Sequence, residues 1–262
     1  MRRAALAAVV FLATFAGLAF LALPVCAIFL RVSPAHLAAQ LGNPVVKDAL
    51  IVSLKTTLAA QALILALGTP TAYVLASRRF RGRSLLVTLV ELPLVLPPAV
   101  AGIGLFAAFG RSGLLHTSIP FTQAAVVLAV AFVASPLYVR AAIAAFEGVD
   151  PNVVAASRTL GAGPLRTFFR VVLPLARGGL VAGAALAFAR GLGEFGATIM
   201  FAGSLRGVTE TLPLAVYSQF NVDFNVALAV SALLVLISAA LLVTLKWLPY
   251  ASTSRFRFAT SS

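Results

Sequence analysis

Residues 150–174 read DPNVVAASRTLGAGPLRTFFRVVLP and lie between two long apolar runs. A chain that crosses a membrane usually keeps its connections short, so a long connection carrying three arginines, Arg158, Arg166 and Arg170, calls for a reason. Asp150 is a good N-cap, and Pro151 suits the first helical turn, where its missing N–H has no intrahelical partner. Gly161 is a C-terminal stop, because glycine tolerates the left-handed conformation. These signals predict a short helix from Pro151 to Leu160. Gly163 and Pro164 then restart the chain. Leu165, Phe168, Phe169, Val172 and Leu173 recur at helical spacing with Arg166 and Arg170 off that stripe, which predicts an amphipathic helix against the membrane or the bundle, ended by Pro174. The whole reads as a short protruding helix on a rigid platform, a surface for another protein to grip.

The sequence around this stretch fixes the class. Of 262 residues, 61% are hydrophobic and 10% charged, and the mean hydropathy is +1.04. A soluble domain of this size needs more polar surface. Six runs approach the roughly 20 apolar residues that a spanning helix needs: 6–30, 50–76, 85–109, 123–145, 178–202 and 224–248. They are continuous and rich in Ala and Leu, which excludes a spanning β-barrel with its period of two. The expected fold is an all-α membrane protein.

The net charge of +13 is a topology signal. If the six runs alternate, fourteen basic residues fall on one side, among them Arg78, Arg79, Arg81, Arg83, Arg158 and Arg166. Only four fall on the other: Arg31, Lys47, Arg111 and Arg206. That bias puts both termini and residues 150–174 in the cytoplasm, and the basic side also suits anionic lipid headgroups. The interleaved basic and aromatic surface needed for nucleic acid is absent. The first run is too long for a signal-peptide core and reads as a retained helix. Cys26 stands alone, so no intrachain disulfide is implied.

The chain reads as one membrane domain: an N-terminal helix and external loop over 1–45, a core over 46–250 and a cytoplasmic tail over 251–262. Lys55, Gln61, Arg190 and Glu194 are costly in hydrocarbon and should face helix neighbours or an aqueous path, or, for Lys55, reach a nearby interface. Pro93, Pro97, Pro98 and Pro136 mark either packing irregularities or a bend that shapes a gate. The run Gly191–Gly196 spells GxGxxG, but it lies in an apolar run and not between a strand and a helix, so it is no dinucleotide fingerprint. No phosphate loop occurs, so any ATP must be handled by a partner. His36 and His116 are the only histidines, and no ligand cluster or nucleophile–base pair supports an intramembrane enzyme.

At these residues the chain resembles the inner-membrane permease subunits of ABC importers. Their cytoplasmic loop carries E-A-A, three residues, G, nine residues, then I-x-L-P. Here Ala155, Ala156 and Ser157 stand at the E-A-A positions, Gly161 is the glycine, Val171 replaces the isoleucine, and Leu173-Pro174 closes the pattern. The missing glutamate at 155 removes any salt bridge from that position. Residues 193–203 (GEFGATIMFAG), 209–217 (TETLPLAVY) and 77–101 are similar to the molybdate transporter permeases, with looser counterparts among sulfate and thiosulfate permeases.

The resemblance implies a type I ABC importer permease fold of about six transmembrane helices with a cytoplasmic coupling helix, in the cytoplasmic (inner) membrane. It implies ATPase coupling through Ala155, Ala156, Ser157, Arg158, Gly161, Leu173 and Pro174. Glu194, Phe195, Gly196 and Thr198 lie near the pathway or a subunit interface, or serve packing alone. The implied assembly is a permease homodimer with two cytoplasmic ABC ATPase subunits and an extracytoplasmic substrate-binding protein. No cofactor or metal is bound by this chain; ATP and Mg belong to the ATPase. The implied substrate is molybdate, with tungstate or sulfate and thiosulfate as alternatives; an ATP-independent channel or secondary transporter is the alternative reading of the function.

Overall fold

Apolar length and proline placement together set the helices seen in the computed structural model, which describes residues 2–247. In chain order these are α1 (Arg2–Arg31), α2 (Pro34–Gln40), α3 (Pro44–Ser77), α4 (Arg83–Val95), α5 (Pro98–Phe109), α6 (Gln123–Glu147), α7 (Pro151–Thr159), α8 (Pro164–Thr167), α9 (Leu173–Leu192), α10 (Gly196–Ala202), α11 (Leu212–Gln219) and α12 (Phe224–Trp247). A π-helical turn, Phe168–Val172, joins α8 to α9. No strand occurs among the described residues. Five helices are long and apolar enough to span a bilayer, or six if the bent pair α4–α5 is one span. The tail expected at 251–262 lies outside the described residues.

Helix α6 is the axis of the bundle. Ala125, Ala129, Ala134 and Ala142 are fully buried along it, with Val130, Val133 and Tyr138 between them. Small residues let its neighbours close in. A Cβ on Gly179 or Gly183 of α9 would lie 2.6 Å from the Cβ of Ala145 or Ala141. Such close backbone approach is how apolar helices gain dispersion energy where lipid offers no hydrophobic drive. On the other flank, Gly68 of α3 faces Tyr138, whose hydroxyl shares a 2.6 Å hydrogen bond with Thr69. A second cluster joins Val46 and Ala49 of α3 to Leu212 and Ala215 of α11 and Val226 and Val230 of α12. By contrast α1 packs on α12 and exposes Phe11, Phe15 and Phe20.

Three expectations change. The run 85–109 is not one straight span: α4 and α5 meet at an angle of 114°. Pro97 and Pro98 remove successive donors, and a residue before proline is pushed out of the helical region; Leu96 and Pro97 are accordingly extended, at ψ 133° and 131°. Pro97 and Pro98 thus mark a bend, whereas Pro93 and Pro136 lie inside α4 and α6. The fifth run is displaced: its span covers Pro164–Leu192, and the chain breaks at residues 193–195 before α10. Finally, Pro174 does not end the amphipathic helix. The π turn before it places Pro174 in the first turn of α9, where a missing N–H costs nothing. The amphipathic segment therefore packs on the bundle as the first turns of a spanning helix, with the Phe168 ring 4.7 Å from that of Tyr73 and 6.1 Å from that of Phe146.

Candidate functional site

The stretch from Asp150 onward folds by its caps. The Asp150 carboxylate accepts the Asn152 N–H at 2.8 Å, and Pro151 opens α7. At the far end Gly161 sits at φ +80°. The Gly161 N–H donates to Arg158 O at 2.9 Å and the Ala162 N–H to Ser157 O at 3.1 Å, the paired bonds of a Schellman stop. The helix covers Pro151–Thr159 with Leu160 as its C-cap, within a residue of expectation.

The motif residues divide among three faces. Ser157 points inward: its hydroxyl lies 3.1 Å from that of Thr167, which is buried in the α8 turn. That contact ties α7 to the base of the spanning helix. Ala156 is exposed and shares the outward stripe with Val153 (43% exposed) and Leu160 (88%). Ala155 and Arg158 line a cleft between α7 and the bundle. Leu173 is half-buried and Pro174 exposed at the start of α9. The capped helix α7 thus presents an exposed apolar stripe of Val153, Ala156 and Leu160.

The second group surrounds the break between α9 and α10. Glu194 is 2% exposed. Its carboxylate meets Arg190 at 2.6 Å, one helical turn back, and accepts the Ala197 N–H at 2.8 Å. One side chain therefore closes the end of α9 and caps the start of α10. The Phe195 ring lies 5.3 Å from that of Tyr217. Gly196 abuts the other broken helix: a Cβ there would come within 2.7 Å of Pro98 Cβ. Thr198 is fully buried with no partner for its hydroxyl. The four expected residues thus sit together, at the point where the two breaks meet.

Sequence reading missed the other half of this contact. Gly102 of α5 receives α10 so closely that a Cβ would lie 2.6 Å from Ala197 O and 2.7 Å from Met200 Cβ. It also missed the fold of the TETLP segment, where Thr209, Glu210 and Thr211 are all buried. Glu210 accepts from Ser218 at 2.6 Å, and the Leu212 N–H donates to Ser53 of α3 at 2.7 Å. The signal available was three consecutive polar residues followed by Leu-Pro in a chain with little polar content. Among the described residues no group of three His, Cys, Asp or Glu could hold a metal ion.

Comparison with known proteins gives the same architecture a family. Residues 64–258 match the family described as binding-protein-dependent transport system inner membrane component. The chain is 48% identical over 239 residues to a molybdenum transport system permease protein of Mycobacterium tuberculosis, covering 88% of this chain and 90% of that protein. It is 39% identical to the molybdenum transport system permease protein of Escherichia coli K12, covering 79% and 95%, and 42% identical to a probable molybdenum ABC transporter permease of Haloferax volcanii, covering 81% and 79%. Among solved structures, an inward-facing MetNI methionine ABC transporter matches with a TM-score of 0.64 and 21% identity over 79% of this chain and 95% of that one, which speaks for the fold. The chain belongs to the family of inner-membrane components of binding-protein-dependent transport systems.

Proposed function

We propose that this chain is the membrane-spanning subunit of an ATP-driven importer of molybdate. The observation that carries the reading is the capped, outward-facing α7, joined through Ser157–Thr167 and the π turn to a spanning helix, in a chain whose relatives across most of its length are named molybdenum transport permeases. Molybdate is a doubly charged tetrahedral oxyanion, and hydrocarbon excludes such an ion. Its passage requires a protein-lined path that opens to one side at a time.

Two copies of the chain form that path by closed symmetry. Two ATPase subunits sit on the cytoplasmic side, where the charge bias puts α7, and a binding protein delivers substrate opposite. The contact stripe on α7 is Val153, Ala156 and Leu160. Ser157 and Gly161 hold the helix in place, Ala155 and Arg158 line its cleft side, and Leu173 and Pro174 begin the helix that carries its movement inward. ATP favours the closed ATPase dimer, which draws the two α7 helices together and biases the path outward. Glu194, Phe195, Gly196 and Thr198 stand where that helix breaks, beside the path. Strong binding along the path would slow release, so substrate selection belongs mainly to the binding protein.

The test is reconstitution of the chain with its ATPase and binding protein in liposomes. Molybdate, tungstate and sulfate then compete for ATP-dependent uptake. Molybdate entering at low concentration against excess sulfate is the expected result. Sulfate winning transfers the chain to the sister group, and an assembled, ATP-hydrolysing complex that imports none of them refutes the substrate reading.

A further inference from the structure

A cleft of about 880 Å³ opens between α7 and the bundle, at the arginine-rich end. Its rim carries Arg79, Arg83 and Arg158 against one acid, Glu147. Arg83 is already committed: its Nε donates to Leu75 O at 2.7 Å and its Nη2 meets Glu147 at 2.5 Å. Arg79 and Arg158 have no acid partner among the described residues. The floor is apolar, with Tyr73, Phe146, Val154 and Val172. The two guanidiniums, one just past the end of α3 and one on α7, stand over these apolar side chains on the side that the charge bias assigns to the cytoplasm. Basic pockets between membrane helices on this side recognise anionic lipid headgroups, and guanidinium matches phosphate by paired N–H donors.

We propose that this cleft is a binding site for one anionic phospholipid, whose phosphate bridges Arg79 of the α3–α4 connection and Arg158 of α7. The apolar floor favours a lipid over a free oxyanion, since an inorganic ion gains nothing from Tyr73 and Phe146. The orientation of α7 favours it over an acidic patch on a protein partner. Pro151, Val154, Ala155 and Arg158 face the cleft at i, i+3, i+4 and i+7, whereas Val153 and Leu160 face the opposite way. A partner gripping the exposed apolar stripe leaves the cleft to the membrane. The bound lipid would tie α7 to the bundle by a second strut, beside Ser157–Thr167.

Native mass spectrometry tests this on the full chain, released from bilayers of phosphatidylglycerol and phosphatidylcholine. One phosphatidylglycerol per chain should be retained in preference to phosphatidylcholine. Removing one arginine should weaken retention about fivefold and the Arg79→Gln/Arg158→Gln pair about thirtyfold. Arg166→Gln/Arg170→Gln, outside the cleft, should leave retention unchanged. Equal loss in both double variants, or equal retention of the two lipids, overturns the site. Displacement of the lipid by millimolar inorganic phosphate overturns the lipid assignment in favour of a free anion. Loss of the lipid when the ATPase subunits are added overturns it in favour of a protein carboxylate. Lipid retention is read without transport, so this outcome is independent of the substrate competition.

Discussion

Gly161 offers a sharp test of the coupling helix, because its environment isolates one physical effect. A Cβ at this position meets nothing within 4 Å, so a larger side chain collides with no neighbour. What it meets is the backbone: φ is +80°, which costs an L-residue about 1–2 kcal/mol, with β-branched residues at the upper end or beyond. If the chain relaxes instead, the stop bonds Gly161 N–Arg158 O and Ala162 N–Ser157 O are lost, and α7 loses its stop after Thr159. The expected order of damage is therefore Asn, Ala, Val, since Asn tolerates the left-handed region best. About 1 kcal/mol for Ala becomes about a fivefold rise in the dissociation constant for the ATPase, and about 2 kcal/mol for Val up to about thirtyfold. The assay is titration of the ATPase onto the chain in nanodiscs, with uptake per ATP in liposomes as the second readout. The thermal midpoint of the bundle should stay put, since α7 protrudes from it. Gly161→Val with unchanged docking and coupling refutes the role given to α7. Equal damage from Asn and Val refutes the backbone argument.

Two further perturbations probe the meeting of the two breaks. Gly102→Ala drives a methyl into the Ala197 carbonyl at 2.6 Å, an overpacking worth about 1–3 kcal/mol; the melting temperature in detergent should fall, while Gly104→Ala, with nothing within 4 Å, serves as the neutral control. Glu194→Ala removes both the Arg190 pair and the α10 cap and should cost about 2–4 kcal/mol. Glu194→Gln keeps an oxygen for the Ala197 N–H and should cost less; the same thermal assay ranks them, and equal losses would mean that the cap contributes nothing.

What could be read from sequence follows from the range over which each signal acts. Asp150, Pro151 and Gly161 operate within their own turn, so α7 was legible to a residue at either end. Arg190 and Glu194 are one turn apart, and their pairing was legible in principle from that spacing alone. Hydropathy is blind to breaks, because the residues on both sides of Leu96–Pro97 are equally apolar. The break at 193–195 is tolerated because Gly196 and Gly102 let α10 lie on α5, a fit made by residues far apart in sequence. Pro174 was misread for a similar reason: the π turn that admits it is held by the rings of Tyr73, Phe146 and Phe168, two of them from other helices.

These long-range features also connect the two sites. From Pro164 to Leu192 the backbone runs as one span through the π turn. Its near end is tied to α7 by Ser157–Thr167, and its far end carries Glu194, which caps the α10 that rests on the bend between α4 and α5. Under the proposed function, a displacement of α7 need not deform the core. It can travel along one helix and be absorbed at residues 193–195, where the ladder of backbone hydrogen bonds is already interrupted. Close-packed interiors resist continuous deformation, so under that proposal movement collects where two helices are broken side by side, at the contact of Gly196 with Pro98 and Gly102 with Ala197.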